Sequence, residues 1–272
     1  MKISCIIPTC DRSSYLIKAL ESVFNQTVLP FEIIVINNGQ KKLELPEDIF
    51  KKITISNTPP YIGAAQARNL GVEIARGDFL AFLDDDDVWD NNYLKNVTVA
   101  IARGAKFIVS RMDILENGKV KIFKNPSGQV NLKNLLVENP GVGGSNVVIA
   151  RKLFLEIGGY DKNLITSEDK SLAIETIKKR IPITVLSENR AIVDVSLGLP
   201  GLRDNDKMAE GTYQFIKKYK SIMTRQQYAF NWYKVFRYRY KSGRKIMIIP
   251  YFFLTLFFAP KDLFKIITKK IF

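Results

Sequence analysis

An α/β fold, with one mostly parallel sheet flanked by helices, is predicted by three observations. Short apolar runs alternate with amphipathic segments along the first third of the chain, the order that makes βαβ units. The run Phe79-Leu-Ala-Phe-Leu83 has no polar face and reads as a strand covered on both sides, as parallel strands are. The three strongest runs lead into polar or turn-forming residues, Thr9-Cys-Asp-Arg12, Asn37-Asn-Gly39 and Asp84-Asp-Asp-Asp87. Those are the carboxyl ends of strands, where open parallel sheets collect ligands. At 272 residues and 46% hydrophobic content, the chain can bury a sizeable core.

Residues 2–8 form the first strand. This run is too short, and too interrupted by Ser4 and Pro8, for a signal-peptide core, so a cytosolic protein is expected. Residues 15–25 place Leu16, Leu20, Val23 and Phe24 on one helical face. Residues 31–36 make the second strand, ended by the Asn37-Asn38-Gly39 turn, and 53–56 a shorter third. Residues 64–75 form a helix closed by Gly77, and the strand 79–83 follows. Asp90 is placed to cap a helix over roughly 91–102. Two strands, 107–110 and 120–123, lie around a turn at Glu116-Asn117-Gly118. Gly141-Val-Gly-Gly-Ser145 reads as a flexible loop before a strand at 146–150. A short helix over 151–157 is stopped by Gly158-Gly159, and Thr166 or Ser167 caps another running to about Lys179. Residues 1–206 therefore read as one α/β domain, with 207–272 as a separate region.

The chain has no histidine. That excludes histidine general bases, Ser-His-Asp triads and His-ligated zinc, and leaves acid-base work to carboxylates, Lys or Tyr. Cys5 and Cys10 are the two cysteines, far from other soft ligands, and Cys5 reads as core packing. Four successive carboxylates at the end of a buried strand repel one another and call for a cation. Oxygen donors of this kind suit Mg2+ or Mn2+, the ions that hold phosphates. The plainer alternative is a solvated turn. Glu168-Asp169, at the start of a predicted helix, is the best candidate for a general base. Helix capping and dipole neutralisation are the alternative use of that pair.

Six segments in order carry a family resemblance: Ile6-Ile-Pro-Thr-Cys-Asp-Arg12, Glu32-Ile-Ile-Val-Ile-Asn-Asn-Gly39, Gly63-Ala-Ala-Gln-Ala-Arg-Asn-Leu-Gly71, Gly77-Asp-Phe-Leu-Ala-Phe-Leu-Asp-Asp-Asp-Asp87, Gly158-Gly-Tyr-Asp161 and Glu168-Asp169. Over roughly residues 2–180 the chain resembles the inverting family 2 glycosyltransferases that use nucleotide sugars. The resemblance implies a GT-A fold, a single Rossmann-like mixed and mostly parallel sheet. It implies that Pro8, Asp11 and Asn38 border the base and ribose of a nucleotide diphosphate, with Arg68 near the diphosphate. Asp84 and Asp86 fill the family's Asp-x-Asp pattern as metal and donor residues, Asp84 towards the ribose and Asp86 on the metal. Asp85 or Asp87 can assist, since a run of four leaves the register open. The resemblance also favours Asp169 over Glu168 as the base, and it implies inversion, a β-linkage from an α-linked donor. One departure is that Asn37 and Asn38 stand where the family commonly has Asp-Asp or Asp-Asn. An amide can donate as well as accept, so uridine recognition is altered, and UDP is still the expected nucleotide. Gly141–Ser145 either approaches a sugar or is an ordinary loop, and Arg68 is alternatively a salt-bridge residue.

Charge is uneven: the net +14 divides into 26 Lys+Arg against 25 Asp+Glu in 1–206 and 15 against 2 in 207–272. From Arg225, aromatics and cations mix, and a 14-residue apolar run containing Pro250 spans 246–259. Such a run is short for a bilayer, which needs about 20 residues, and fits an anionic membrane surface better. Internal packing and nucleic-acid binding compete, and the continuous Phe-rich stretch argues against nucleic acid. The expectation is a peripheral enzyme on the cytoplasmic face of a bacterial inner membrane. It would move glucose or galactose from a UDP-sugar to a lipid-linked acceptor, such as N-acetylhexosaminyl-diphospho-undecaprenol, in O-antigen or capsule assembly. Another nucleotide sugar or acceptor is the alternative. A metal-dependent nucleotidyltransferase lacks its motifs here, and a simple lipid- or nucleic-acid-binding module would need no Asp cluster.

Overall fold

The first strand, β1 (Ile3–Thr9), is buried at all seven positions because it runs between two parallel neighbours, β2 (Glu32–Asn37) and β4 (Phe79–Phe82). β3 (Thr54–Asn57) adds to β2, also in parallel. The computed structural model describes residues 1–116, 118–194, 204–247, 249–250, 253–254 and 257. The remaining strands are β5 (Asp87–Trp89), β6 (Phe107–Glu116), β7 (Lys119–Lys124), β8 (Val147–Ala150) and β9 (Thr184–Asp194). They complete one sheet in the order β3-β2-β1-β4-β8-β6-β9-β5, with β7 hairpinned onto β6.

The α/β class and the mixed, helix-flanked sheet are as expected, but the sheet is less parallel than predicted. β8 is antiparallel to both β4 and β6, and β5 is antiparallel to β9. Among the described residues, parallel pairing is confined to β3-β2-β1-β4 and to β6 with β9. In the second half of the strand order β8 and β5 run back against β6 and β9.

Among the described residues, seven helices accompany the sheet: α1 (Ser13–Phe24), α2 (Glu47–Phe50), α3 (Ala64–Ile74), α4 (Tyr93–Ala102), α5 (Leu132–Leu135), α6 (Arg151–Glu156) and α7 (Glu168–Lys178). Alternation along β1 divides the core. Cys5 and Ile7 join Leu16, Leu20 and Val23 of α1 and Tyr93, Leu94 and Val97 of α4. Each such side chain contributes roughly 1.5–3 kcal/mol by leaving water. Elsewhere in the core Phe82 meets Tyr160 edge-on at 5.2 Å and Phe154 at 5.7 Å. Two predicted caps differ. α3 ends at Ile74 with Ala75 already extended, so Gly77 does not close it. Asp90 does not cap α4, whose first residue is Tyr93; its carboxylate instead meets Arg190 Nη2 at 2.7 Å.

A second unit contains α8 (Asn205–Tyr219), α9 (Arg225–Lys241) and the short segments 136–138 and 163–167. Thr224 and Gln227 form a reciprocal capping box that starts α9. Trp232 packs on Tyr213 at 5.8 Å and Phe236 at 5.5 Å, so part of the predicted membrane-facing aromatic set is used in helix packing. Asn231, fully buried, donates to the carbonyls of Leu136 and Gln227, both at 2.8 Å. Half of the apolar run 246–259 lies outside the described residues; of its described residues, Ile246, Ile249, Phe253 and Phe257 are exposed. Among the described residues, no helix is long and apolar enough to cross a membrane.

Candidate active site

Leu83 leaves β4 with its backbone N–H still bonded to the Ile6 carbonyl at 3.1 Å, and the four aspartates follow at the sheet's carboxyl edge. They alternate in environment. Asp84 and Asp86 are about a third exposed, whereas Asp85 and Asp87 are buried at 1% and 6%. Asp85 and Asp86 form a turn between Asp84 and Asp87, whose N–H bonds the Asp84 carbonyl at 3.2 Å, and Asp87 opens β5.

Each buried carboxylate has its own internal partners. Thr9 Oγ1 donates to Asp85 Oδ2 at 2.7 Å, and Arg12 Nη2 lies 3.1 Å from Asp85 Oδ1. Arg12 also reaches Asp86 Oδ2 through Nη1 at 2.9 Å. Ser145 Oγ donates to Asp87 in a short bond and accepts the Asp84 backbone N–H at 3.1 Å. Burial pushes the Asp85 carboxyl up to about 6, against the opposing pull of Arg12. Burial raises Asp87 well above the usual range, and the Asp84 charge adds to it. Part of the cation demanded by the acidic run is thus the protein's own arginine. Arg12 was quoted within a motif but given no role; its place one residue after Asp11, at the end of β1, was the available signal.

A second cluster forms around Arg68, carried by α3 and 2% exposed. Its Nη2 makes a short ion pair with Asp84, and Nη1 lies 3.5 Å from Glu168 Oε1 and 3.8 Å from Asp169 Oδ1. The guanidinium also sits 5.2 Å from the Tyr160 ring centre. Burial works against the charged guanidinium, but Asp84 and Asp169 more than offset it, and its pKa rises. Arg68 Nε and Nη1 and Asp169 Oδ1 are buried without a hydrogen-bond partner. Burial, reinforced by the neighbouring Glu168, raises Asp169 well above an ordinary aspartate. Glu168 is raised by burial too, with Arg68 opposing. Three predicted segments therefore converge: the end of β4, α3 and the start of α7.

Gly144 is where the backbone comes closest to this cluster. A Cβ there would stand 2.0 Å from Arg68 Nη2 and 2.7 Å from Asp84 Oδ2, so only glycine fits. The 141–145 loop is mostly buried and bonded, not flexible as expected. Asn146 Nδ2 donates to the Ser110 and Gly141 carbonyls at 2.6 and 2.7 Å, and Trp89 Nε1 donates to the Ser145 carbonyl at 2.7 Å.

The remaining predicted residues lie on the edge formed by β1, β2 and β3. Pro8 is buried within β1 opposite Ile36. Asn37 donates its amide to the Lys41 carbonyl and to Asn57 Oδ1, both at 3.1 Å, and accepts the Gly39 N–H at 3.1 Å. An aspartate could not make those two donations, which accounts for the amide at this position. Asn38 and Asp11 are joined by Tyr61: its N–H donates to the Asn38 carbonyl at 2.6 Å and its hydroxyl to Asp11 Oδ2 at 3.1 Å. Asp11 also accepts the Lys41 N–H at 2.7 Å, the main cause of a lowered pKa.

Among the described residues no three carboxylates converge as a metal-binding group by themselves. Asp84 and Asp86 nevertheless fit a divalent ion of the Mg2+ or Mn2+ kind, which takes one or two carboxylates and completes its shell with phosphate oxygens and water. They are hard, partly exposed donors on one turn, and the two buried aspartates between and beyond them hold that turn in shape.

A family model described as "Glycosyl transferase family 2" matches residues 4–158. An uncharacterized glycosyltransferase of Haemophilus influenzae is 26% identical over 183 residues, 65% of this chain and 62% of its own length. The Escherichia coli protein named UDP-Glc:alpha-D-GlcNAc-diphosphoundecaprenol beta-1,3-glucosyltransferase WfgD is 27% identical, with 65% of this chain and 70% of WfgD covered. The amylovoran biosynthesis glycosyltransferase AmsB of Erwinia amylovora is 23% identical over 93% of this chain and 90% of its own. Among solved structures, S. aureus TarS 1-349 in complex with UDP-GlcNAc superposes with a TM-score of 0.63 at 16% identity, over 89% of this chain and 73% of TarS. GalNAc-T7 with UDP, GalNAc and Mn2+ gives 0.65 at 15%, over 89% of this chain and 54% of that one. These two likenesses concern the fold.

Proposed function

The chain belongs to glycosyl transferase family 2, and from that membership we propose that it is an inverting enzyme of bacterial surface-polysaccharide assembly. It transfers a hexose, glucose or galactose, from UDP to a lipid-linked sugar such as an N-acetylhexosaminyl-diphospho-undecaprenol, making a β-linkage. The observation that carries this reading is the meeting of Asp84, Glu168 and Asp169 around Arg68 beside the partly exposed Asp86. The names borne by WfgD and AmsB support a polysaccharide setting and a lipid-linked acceptor, and the bound UDP-sugar of TarS supports the donor class.

In this mechanism Asp11, Asn38 and Pro8 border the base and ribose, and Arg68 serves the diphosphate. Asp169 takes the proton as the acceptor hydroxyl attacks C1, while the C1–O bond to the diphosphate breaks and UDP leaves. Burial, with the neighbouring Glu168, holds its pKa above that of an ordinary aspartate, which strengthens it as a proton acceptor. Asp86 and Asp84 would hold a divalent ion, whose charge would offset that of the leaving diphosphate. Asp85 and Asp87 act by positioning, through Thr9, Arg12 and Ser145. The basic region 207–272, 15 cations against 2 acids, holds the enzyme peripherally on the anionic cytoplasmic face of the inner membrane, beside its acceptor.

Thermal shift with UDP, GDP, CDP and dTDP, each with and without Mn2+, tests the donor half of the reading. UDP with Mn2+ should raise Tm most. Stabilisation that favours another nucleotide, or that ignores the metal, overturns the UDP or the metal assignment respectively. Radiolabelled transfer from UDP-glucose and UDP-galactose to synthetic lipid-linked N-acetylhexosamine tests the acceptor half.

A further inference from the structure

Four non-glycine residues among those described have positive φ, and two of them, Asp11 at 56° and Tyr61 at 61°, are hydrogen-bonded to each other. A bulky side chain in the left-handed region is an outlier that costs about 1–3 kcal/mol unless its surroundings demand it. Tyr61 is held there from three sides. Pro59 and Pro60 stiffen the approach, its N–H is tied to the Asn38 carbonyl at 2.6 Å, and its hydroxyl is tied to Asp11 Oδ2 at 3.1 Å. The opposite wall is equally constrained: a Cβ on Gly39 would stand 2.3 Å from Asp11 Oδ1.

With its backbone at Asn38 and its phenol at Asp11, the ring spans the loops that follow β1 and β2. It is nevertheless 61% exposed, and no aromatic or cationic side chain among the described residues packs on it. A turn that only needed a left-handed residue would take glycine or asparagine at lower cost. A tyrosine kept there, braced and bare, offers an aromatic face beside the two residues assigned to base and ribose. We infer that Tyr61 is the stacking platform for the nucleobase of the donor nucleoside diphosphate, set in place by its strained backbone and its bond to Asp11. This rests on the nucleotide-sugar reading above and adds to it the residue that grips the base.

Calorimetric titration of UDP in the presence of Mn2+, on the full chain and on three variants, tests the assignment. Tyr61→Ala should weaken UDP about 10- to 100-fold, the range of one base–aromatic stack. Tyr61→Phe keeps the ring and should stay within about fivefold of the parent. Tyr61→Gly relieves the backbone, so its Tm should equal or exceed the parent's while UDP binding falls as for Tyr61→Ala. Methyl diphosphate, which lacks a base, should bind parent and Tyr61→Ala alike. Equal losses in Tyr61→Phe and Tyr61→Ala would mean that the hydroxyl merely props Asp11, and would overturn the stacking role. So would unchanged UDP affinity in Tyr61→Ala. If the parent binds no nucleoside diphosphate at all, the donor reading itself fails, an outcome separate from either of these.

Discussion

Arg12 and Arg68 pair with different members of the same aspartate run, and they are held very differently. Arg12 is 34% exposed and meets Asp85 and Asp86 at 3.1 and 2.9 Å. The Arg68 side chain is buried, and beyond its short pair with Asp84 it has looser carboxylate contacts at 3.5 and 3.8 Å, with Nε and Nη1 unbonded. A finished network fixes a turn; an unfinished one of buried charges is strained and ready to exchange partners. On the proposed function, the difference separates scaffold from chemistry within a single loop.

The sharpest way to break that comparison is on the Arg68 side. Asp169→Asn should lower kcat by about 10²- to 10⁴-fold with UDP affinity within about threefold, because only the proton acceptor is removed. Steady-state kinetics alongside UDP titration checks it, and near-normal turnover would return Glu168-Asp169 to helix capping. Next in size, Arg68→Met leaves three carboxylates without their cation and should cost about 3–5 kcal/mol in chemical denaturation. Arg12→Met, partly solvated, should cost about half of that or less. Equal costs would erase the distinction.

Lys234 is a further buried cation, its ammonium bonded to the Val137 carbonyl in place of a carboxylate. Burial pulls its pKa from 10.5 down to about 8, with Glu138 opposing. The folded chain therefore binds fewer protons than the unfolded one between about pH 8 and 10.5. The penalty is full below that window and fades as pH rises through it. Lys234→Met should accordingly raise stability by about 1–2 kcal/mol at pH 7, with the gain vanishing towards the upper end of the window. Tm measured across that range checks the sign.

The parallel strands were legible because β1, β2 and β4 bury both faces and so carry uninterrupted apolar runs. β5 and β9 were not. Asp87-Val-Trp89 looks like the end of a turn. β9 contains Ser187-Glu-Asn-Arg190, whose strand state depends on pairing with β6 across a register shift between Ser110 and Arg111. The chemistry-bearing acids stood out by type and order, whereas their supports did not. Thr9 and Ser145 acquire meaning only by meeting aspartates 76 and 58 residues away. Tyr61 shows nothing in its own letter; its backbone angle and its bond to Asp11 single it out.

The position of β4 has a consequence for synthesis. Its second neighbour, β8, follows it by more than 60 residues, and the serine that anchors Asp84 is 61 residues further along. While the intervening chain is being made, Phe79-Leu-Ala-Phe-Leu83 is an open sheet edge of the kind that recruits other nascent chains. Four negative charges at its tip act as gatekeepers during that interval, repelling a second copy of the same segment. The aspartates thus protect the growing chain before they have a site to serve.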